Sequence, residues 1–348
     1  MSKSWRSVPS SLSMRTEFES GPVMLRSVMT SRREQPGVSA GGRSIFHLRG
    51  SGSSGTNWAC ALLNLHPLVH CSGEWCFAPI LAGVERWKDQ AWTLGSSERM
   101  RSVVDAHLEG MLGACLNAQA DSEKPGAIWV GDRSPEAVAD LGVPVILTIR
   151  DGRDVLVSMT LRYLREDAGL DGSAGRSAMV EGWDGMGAVA ERFTADPDGF
   201  VAGHAGLLPD EAWVRRCAKR WANRLASDME AIEALGERGL VVRYEAMHED
   251  VERERGRMYE FLGLDPHEAD GVSDATRTRA GFDRQDAGSF YRAGRVGDWK
   301  DWMDPRALGW FEQEAGAALR DLGYVPGGQD VQQDAHRGAS LKRCAGTT

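Results

Sequence analysis

The chain has 348 residues, of which 41 are basic and 50 acidic, so its formal net charge at pH 7 is −9. This length suits one large domain or two ordinary ones, and 42% hydrophobic with 26% charged residues is typical of a soluble globular protein. The acidic balance argues against a general nucleic-acid or anionic-membrane binder, and no apolar run reaches the ~18 residues of a membrane span.

The two ends of the chain differ in composition from its middle. Residues 1–43 are rich in Ser and Arg and have no hydrophobic period, so we expect a flexible arm there. A transit peptide has a similar composition, and this alternative stays open. The arm has no apolar core of a secretory signal, and we expect a cytoplasmic protein. Residues 326–348 are polar and aperiodic, which predicts a flexible tail, so the folded domain is expected over residues 44–325.

The cysteine pattern indicates neither a metal site nor a disulfide scaffold. The six cysteines are Cys60, Cys71, Cys76, Cys115, Cys217 and Cys344. They form no C-x-x-C pair and no Cys/His cluster with zinc spacing, and their number is low for a disulfide-stabilised chain of this length. We therefore expect small buried side chains and one tail thiol, and no bound metal.

Strands and helices alternate between the two ends. In chain order, the patterns predict a strand at 44–49, helices at 56–65 and 103–115, strands at 127–130 and 143–149, helices from about 153 and at 211–235, a strand at 240–244, and helices at 252–262 and 305–322. This alternation predicts an α/β fold with three layers, in which helices cover both faces of a parallel sheet. The irregular segment 166–209 is expected to be a lid or a surface excursion.

A glycine-rich loop connects the first predicted strand to the first predicted helix. A loop of this kind points several backbone N–H groups at one place, and the helix N-terminus adds partial positive charge, so together they bind phosphate-like anions. Gly50, Gly52 and Gly55 have the spacing of the dinucleotide fingerprint, and Glu74 lies where its ribose-binding acid would be. However, residues 66–74 read poorly as the apolar second strand that such a site requires.

The outer glycines of the loop also match those of a nucleotide-binding P-loop. In that motif the second glycine is followed by Lys and then Ser or Thr, whereas Thr56 and Asn57 follow Gly55 here. The lysine that reaches nucleotide phosphates is missing, which disfavours a kinase or a nucleoside-triphosphate hydrolase. A nicotinamide-dependent oxidoreductase using NAD(P) stays open as an alternative.

Four segments resemble, in the expected order, the sulfotransferases that use 3′-phosphoadenosine-5′-phosphosulfate (PAPS). They are Ser54–Trp58, similar to S-G-T-T-W; Thr148–Ser158, similar to a strand ending in Arg followed by R-D-x-x-x-S; Val242–Glu245, similar to R/F-Y-E-D; and Phe290–Lys300, similar to R-K-G-x-x-G-D-W-K. The last match is specific. Together the four matches are distributed over nearly the whole domain expected at residues 44–325. The resemblance implies a P-loop NTPase-like sulfotransferase fold. It also implies transfer of a sulfonate from PAPS to a hydroxyl or an amine, with release of adenosine 3′,5′-bisphosphate (PAP).

The resemblance assigns residues to the co-substrate. Those implied are Ser53, Ser54, Gly55, Thr56, Asn57 and Trp58 at the 5′-phosphosulfate, and Arg150, Ser158, Tyr244, Arg292, Ala293 and Gly294 around the 3′-phosphate and the adenine. The paired N–H donors of Arg150 suit a phosphate. Trp58 is expected either to stack on adenine or to be a core aromatic, and Ala293 replaces a lysine usual in the family.

A further segment implies the catalytic base. Residues 63–74 resemble the H-P-x-x-x-C-G-E-E stretch of tyrosylprotein and related carbohydrate-type sulfotransferases, in which the glutamate is the general base. Glu74 is therefore the candidate base, and a solvated loop carboxylate is the alternative reading of the same residue. His47 and His70 are further candidates for the base, although each is expected to be structural.

One position departs from the family pattern. A lysine or arginine normally precedes S-G-T-T, whereas Ser53 stands there in this chain, in which only six of the 41 basic residues are lysines. Arg49 ends the first predicted strand, and Arg133 stands where another family lysine would lie. Both are candidates to supply the positive charge that polarises the sulfonate. A nucleotide-binding protein with little or no turnover is the alternative.

The acceptor is expected to be a small molecule or a carbohydrate. Segments 75–102 and 160–210 are expected to form acceptor loops. They contain the aromatic residues Trp75, Trp87, Trp92 and Trp183. We expect neither a nucleic-acid partner nor an integral membrane segment.

Overall fold

The computed structural model describes residues 42–73, 78–89, 97–138, 142–170, 183–204, 206–273 and 294–324. The strands of this part of the chain are β1 (Ser44–Gly50), β2 (Val69–Gly73), β3 (Trp129–Ser134), β4 (Val145–Ile149) and β5 (Gly239–Arg243). They pair in parallel in one sheet, in the order β2-β3-β1-β4-β5. The predicted parallel α/β sheet is therefore confirmed.

Six helices of the described residues begin at a side-chain cap. The helices are α1 (Thr56–Leu63), α2 (Ala78–Lys88), α3 (Glu98–Glu123), α4 (Gly152–Asp167), α5 (Gly187–Ala195), α6 (Pro197–Gly203), α7 (Glu211–Leu235), α8 (Tyr244–Glu249), α9 (Val251–Phe261), α10 (Trp299–Trp302) and α11 (Pro305–Asp321). Side chains that accept a hydrogen bond from a first-turn N–H are those of Ser97, Asp151, Asp196, Asp210, Asp250 and Asp304. Across the ranges that the structure describes, no helix has both the length and the hydropathy of a membrane span.

Hydrophobic cores lie on both faces of the sheet, because side chains alternate along each strand. Phe46 and Leu48 of β1 pack with α1, α8 and α9 on one face. Val145 and Leu147 of β4 pack with α4, α5, α7 and α11 on the other. All residues of β4 are buried, as expected of a central parallel strand. Helices thus cover both faces, which confirms the predicted three-layer architecture.

β2 is a strand that the sequence patterns did not predict. Residues 66–74 contain His, Cys and Ser among few apolar residues, yet Val69–Gly73 pairs with β3 along its whole length. β2 lies at an edge of the sheet. An edge strand tolerates polar side chains that a central strand excludes, so its sequence pattern is weak.

Two predicted elements have different boundaries in the structure. β3 continues to Ser134, beyond its last apolar residue Val130. The polar Asp132 fits in this buried extension because its carboxylate is 3.0 Å from the guanidinium of Arg49. The helix predicted at 103–115 is the middle of the longer α3. The buried apolar residues of α3, Leu116 and Ala120, lie beyond the predicted range, whereas Val103 and Met111 within it are exposed.

The described part of the predicted insertion belongs to the core. A short 3-10 helix (Trp183–Met186), α5 and α6 bring Met186, Val189 and Phe193 against α4 and α7, and each of the three is at most 1% exposed. The prediction of a lid or a surface excursion is therefore wrong for residues 183–204. Residues 171–182 lie outside the described ranges.

Other sequence predictions also fall outside the described residues. The predicted arm up to residue 41 and the predicted tail lie there. So do three of the implied site residues, Glu74, Arg292 and Ala293. Their predicted roles stay predictions.

The first two glycines of the loop differ in what surrounds them. A Cβ at Gly50 would clash with the hydroxyls of Thr148 and Ser54 and would lie 2.7 Å from the Thr148 carbonyl oxygen, whereas one at Gly52 would meet no atom within 4 Å. We therefore expect Gly50→Ala to lower the free energy of unfolding by about 1–3 kcal/mol, and Gly52→Ala to change it by less than ~0.5 kcal/mol. Urea unfolding measures the difference, and equal losses in the two variants would contradict it.

Candidate functional site

The C-terminal ends of the described strands meet at one edge of the sheet, the edge at which open α/β sheets bind ligands. The glycine loop follows β1, Gly73 ends β2, Arg133 lies near the end of β3, Arg150 follows β4 and Tyr244 follows β5. Gly73 pairs with Arg133, which pairs with Leu48 of β1. The end of β2 therefore lies two strand spacings, about 10 Å, from the end of β1. Five segments of the predicted site are thus brought to one edge.

The strand order separates this site from a dinucleotide site. β1 lies between β3 and β4, and β2 lies at the sheet edge. A dinucleotide-binding sheet has the order 3-2-1-4-5-6, with β1 directly beside β2. An acid at the end of β2 is therefore one strand further from the glycine loop than the ribose-binding acid of a dinucleotide site.

The loop after β1 presents backbone donors at the start of α1. Gly55 is the N-cap residue with φ 96°, and no side chain caps this helix. Because first-turn N–H groups have no partner inside a helix, those of Thr56 and Asn57 are available to an anion. Ser53 also has a left-handed backbone, with φ 68°.

Ser54 stabilises the loop with its own donors. It is fully buried, and its Oγ lies 3.0 Å from Thr148 Oγ1. Its N–H donates to the Ser51 carbonyl (3.0 Å), and Thr148 Oγ1 donates to the carbonyl of Arg49 (3.3 Å). Both donors of Ser54 are thus used within the protein, whereas the N–H groups of Thr56 and Asn57 at the helix start remain available.

Arg150 connects the loop to the chain segment that follows residue 293. Its Nη1 donates to the Ser53 carbonyl (3.2 Å) and its Nη2 to the Arg295 carbonyl (2.8 Å). The guanidinium lies 4.2 Å from the ring centroid of Tyr244 and 3.7 Å from the carboxylate of Asp154. The buried Nε has no hydrogen-bond partner among the described residues, so a donor remains for a ligand.

Tyr244 and Trp58 are packed beneath the loop. The Tyr244 hydroxyl donates to the Gly294 carbonyl (2.9 Å), and its ring is edge-on to Trp58, with centroids 5.8 Å apart. Trp58 is 6% exposed and also packs against His248. Trp58 was expected either to stack on adenine or to be a core aromatic, and in the structure it is packed as a core aromatic. A Cβ at Gly55 would lie 2.5 Å from the Tyr244 ring, so this packing requires glycine there.

The residues implied at the 3′-phosphate are only partly described. Ser158 is half-buried on α4, about 9 Å along the helix axis from its first residue. Gly294 has φ 56° and is the first described residue of the terminal signature. Arg150 and Gly294 are held together through Tyr244, which contacts both.

Arg49 is committed to a buried ion pair. Its guanidinium is 4% exposed, donates to the Asp132 carbonyl (2.8 Å) and to His47 Nδ1 (2.8 Å), and pairs with the Asp132 carboxylate. His47 and Arg49 alternate with Leu48, which packs on the α1 face, so both point to the opposite face of the sheet. These contacts correct the expectation that Arg49 supplies the charge missing at Ser53.

The burial of His47 beside this ion pair makes stability depend on pH. Burial first, and then Arg49, lowers the pKa of His47 from 6.5 to about 4. Between these values the unfolded chain binds a proton that the folded chain does not, so stability falls as pH falls. We expect the unchanged chain to lose about 2 kcal/mol more than His47→Asn between pH 7 and pH 5. Denaturant unfolding at both pH values measures this, and equal losses would contradict it.

Arg133 lies on the α1 face, beside the end of β2. Its Nη2 would be 2.6 Å from a Cβ placed at Gly73, the residue before Glu74. Its charge also acts on Cys60 of α1: the hydrogen bond with Cys71 and, after it, the charge of Arg133 lower the pKa of the Cys60 thiol, against the raising effect of burial. Both cysteines are free and buried, as predicted. Of the two arginines expected to polarise the sulfonate, Arg133 is thus the one beside the end of β2.

The acceptor side is described only in part. Trp183 is 6% exposed and its Nε1 donates to Asp167 (2.7 Å), so it belongs to the core and corrects the expectation that it lines an acceptor pocket. Trp87 is half-buried on α2. Trp75 and Trp92 lie outside the described residues.

Two residues of the site were missed by the sequence analysis. Asp154 lies in the first turn of α4, where an acid is ordinarily attributed to the helix dipole. His248 packs on Trp58 and Tyr244, and burial, with a smaller contribution from Arg150, lowers its pKa to about 4. Asp154 is the acid of the R-D-x-x-x-S segment, but the sequence analysis gave it no role of its own. His248 has no spacing signal, because its contact with Trp58 comes from a distant segment.

Several solved structures are similar to the chain. The sulfotransferase domain from the curacin biosynthetic pathway is 14% identical, with 84% of this chain and 99% of that chain covered and a TM-score of 0.43. Mouse sulfotransferase SULT7A1 complexed with PAP is 14% identical, with 79% and 84% covered and a TM-score of 0.40. Sulfotransferase STF9 from Mycobacterium avium is 11% identical, with 82% and 78% covered and a TM-score of 0.40.

A family model covers the C-terminal part of the site. None of the curated proteins matches the chain. Residues 219–323 match the family model of the sulfotransferase domain, and this range includes β5, α8, α9 and the terminal signature. Because the match contains two of the four segments on which the resemblance rests, it confirms the predicted resemblance to the sulfotransferases over residues 219–323.

Proposed function

We propose that this protein is a sulfotransferase that binds PAPS at the carboxyl edge of the sheet and transfers its sulfonate to a hydroxyl or an amine of a small-molecule or carbohydrate acceptor. The observation that carries the proposal is the position of Arg150, between the glycine loop at Ser53 and the terminal signature at Arg295. PAPS has a phosphosulfate at its 5′ end and a separate 3′-phosphate. A buried arginine at the junction of two anion-binding segments suits such a ligand.

The 5′-phosphosulfate would lie at the start of α1. The N–H groups of Thr56 and Asn57 and the positive end of the helix dipole favour an anion there. Positive charge is also needed where the leaving phosphate oxygen develops negative charge. Because Ser53 is neutral and Arg49 pairs with Asp132, Arg133 is the candidate for this role.

The proposed reaction is a displacement at sulfur. The acceptor oxygen or nitrogen forms a bond to sulfur while the bond from sulfur to the bridging phosphate oxygen breaks, so that PAP leaves with the electron pair. A general base takes the acceptor proton. Glu74 directly follows Gly73 in the sequence, and Gly73 lies against Arg133, which supports this pair as base and cation.

The alternative bases have other partners. His47 Nδ1 accepts a hydrogen bond from Arg49, and His70 Nε2 lies 3.9 Å from the carboxylate of Glu123. Both histidines lie within strands and away from the carboxyl edge. Their positions support Glu74 as the base.

A second candidate function is nucleotide binding with little or no turnover. The neutral Ser53 and the buried ion pair of Arg49 favour it, because neither position contributes charge to the loop. The two functions differ in chemistry and share the same binding site.

Transfer from PAPS radiolabelled in its sulfur tests the proposed function. The assay offers the label to a mixture of phenols, alcohols, amines and sugars, and calorimetry measures binding of PAP and of NAD. PAP binding with label transfer is expected. PAP binding without transfer to any acceptor would favour the second candidate, and NAD binding without PAP binding would contradict both.

A further inference from the structure

Asp154 lies where three parts of the proposed site meet. It is the third residue of α4, and its side chain is 0% exposed. Its Oδ1 accepts a hydrogen bond from the Trp299 N–H (2.9 Å), and its Oδ2 accepts one from the Gly297 N–H (2.8 Å). The two carboxylate oxygens thus fasten the terminal signature to the start of α4.

The same carboxylate orients Arg150. Asp154 Oδ2 is 3.7 Å from Arg150 Nη2, and that Nη2 also donates to the Arg295 carbonyl (2.8 Å). In the part of the chain that the structure describes, Asp154 is the one carboxylate that pairs with this arginine. Asp154 therefore determines where the guanidinium lies relative to both the glycine loop and residues 294–299.

The stability of the fold does not account for an ionised carboxylate at Asp154. Burial raises the pKa of Asp154 to about 6, against the lowering effect of Arg150. When the folded-state pKa of an acid is raised, the protonated form stabilises the fold, and this contribution is lost as pH rises through the folded-state value. At neutral pH the ionised carboxylate thus costs stability, and charges of this kind concentrate at functional sites.

We propose that Asp154 is a positioning residue that gives the site its preference for a nucleotide with a 3′-phosphate. It holds Arg150 and residues 294–299 in a fixed relation, so the donors for that phosphate are in place before the nucleotide binds. This inference rests on the proposed function, because the 3′-phosphate is the part of PAPS assigned to Arg150.

The test compares two nucleotides that differ only in that phosphate, PAP and adenosine 5′-phosphate, by calorimetry. Asp154→Asn is nearly isosteric, but it replaces one acceptor oxygen with a donor and removes the charge that faces Arg150. We expect the variant to bind PAP at least about tenfold more weakly and adenosine 5′-phosphate with less than about a twofold change. Equal losses for the two nucleotides would mean that Asp154 only supports the fold, and would overturn the inference.

Asp151→Asn is the matched control. Asp151 is also buried in the same helix turn, but its carboxylate accepts hydrogen bonds from the N–H and Nε of Arg153 (2.9 and 3.0 Å). We expect this variant to keep the ratio of the two affinities. A change of the ratio as large as that in Asp154→Asn would overturn the inference, since any charge removed from this turn would then have the same effect.

A measurement on the unchanged chain applies even if the variant does not fold. PAP is expected to protect the amides of Gly297 and Trp299 from hydrogen exchange more strongly than adenosine 5′-phosphate does, because the 3′-phosphate completes the contacts of Asp154 and Arg150. Equal protection would overturn the inference while PAP binding upholds the proposed function. If the unchanged chain binds no PAP, the proposed function fails and this inference fails with it.

Discussion

Arg150→Ala is expected to weaken PAP binding by about 1.5–3 kcal/mol, roughly 10- to 150-fold, the cost of losing hydrogen bonds from a charged donor. The side chain is 9% exposed and contacts both Ser53 and Arg295, so its loss affects the loop and the terminal signature together. It also leaves the carboxylate of Asp154 buried without a counter-ion. Calorimetric titration with PAP measures the effect.

Arg255→Ala is the control for this variant. Arg255 and Arg150 are each 8% exposed as whole residues, and Arg255 also pairs with a carboxylate, that of Glu252, and donates to a carbonyl, that of Asp270. It lies on α9, away from the carboxyl edge. We expect its removal to lower stability and to leave PAP affinity within about twofold. Unchanged affinity in Arg150→Ala, or an equal loss in both variants, would reject the assignment of Arg150 to the 3′-phosphate.

Glu74→Gln is expected to fold and to bind PAP as the unchanged chain does, and to lose turnover by about 10²–10⁴-fold. The amide keeps the size of the side chain but cannot take the proton of the acceptor. The loss should therefore fall on kcat and not on the affinity for PAP. Label transfer at saturating PAPS, beside calorimetry with PAP, separates the two quantities.

Glu123→Gln is the control for the base. The Glu123 carboxylate lies 3.9 Å from His70 of β2, and its side chain is 57% exposed. Its substitution is expected to leave kcat within about twofold, because a solvent-exposed ion pair contributes little. A Glu74→Gln variant that transfers label at nearly the original rate would remove Glu74 as the base and would turn attention to another group at the carboxyl edge.

The helices and the central strands follow directly from local signals. α7 spans Glu211–Leu235, the predicted range, because Asp210 caps its first turn and Gly236 ends it. β4 is a continuous buried run, and its prediction needed no information from elsewhere in the chain. β2 was missed for the opposite reason, since an edge strand made of polar residues is stabilised by its pairing with β3 and not by its own pattern.

The candidate site likewise combines features that the local sequence predicts with contacts that only the tertiary structure creates. The spacing of the motifs was sufficient to find the glycine loop and Arg150, because an anion-binding loop and a strand-end arginine are local features. The partners of these residues were not visible in the spacing. Arg49 lies near the end of β1, a position from which the sequence suggests that its charge is available to a ligand. In the structure, Asp132 on β3 neutralises this charge, and only the pairing of the two strands brings the two residues together.

Local order in the chain was thus enough to predict the α/β alternation and the family resemblance, and it indicated the segments of the candidate site. The direction of each side chain was decided by the tertiary structure. Trp58 packs in the core, Arg49 points to the opposite face of the sheet from α1, and Asp154 fastens the terminal signature to α4. The physical reason is that burial and ion pairing depend on neighbours that lie far away in the sequence, as Asp154 and Trp299 do, whereas helix, strand and loop signals depend on residues nearby.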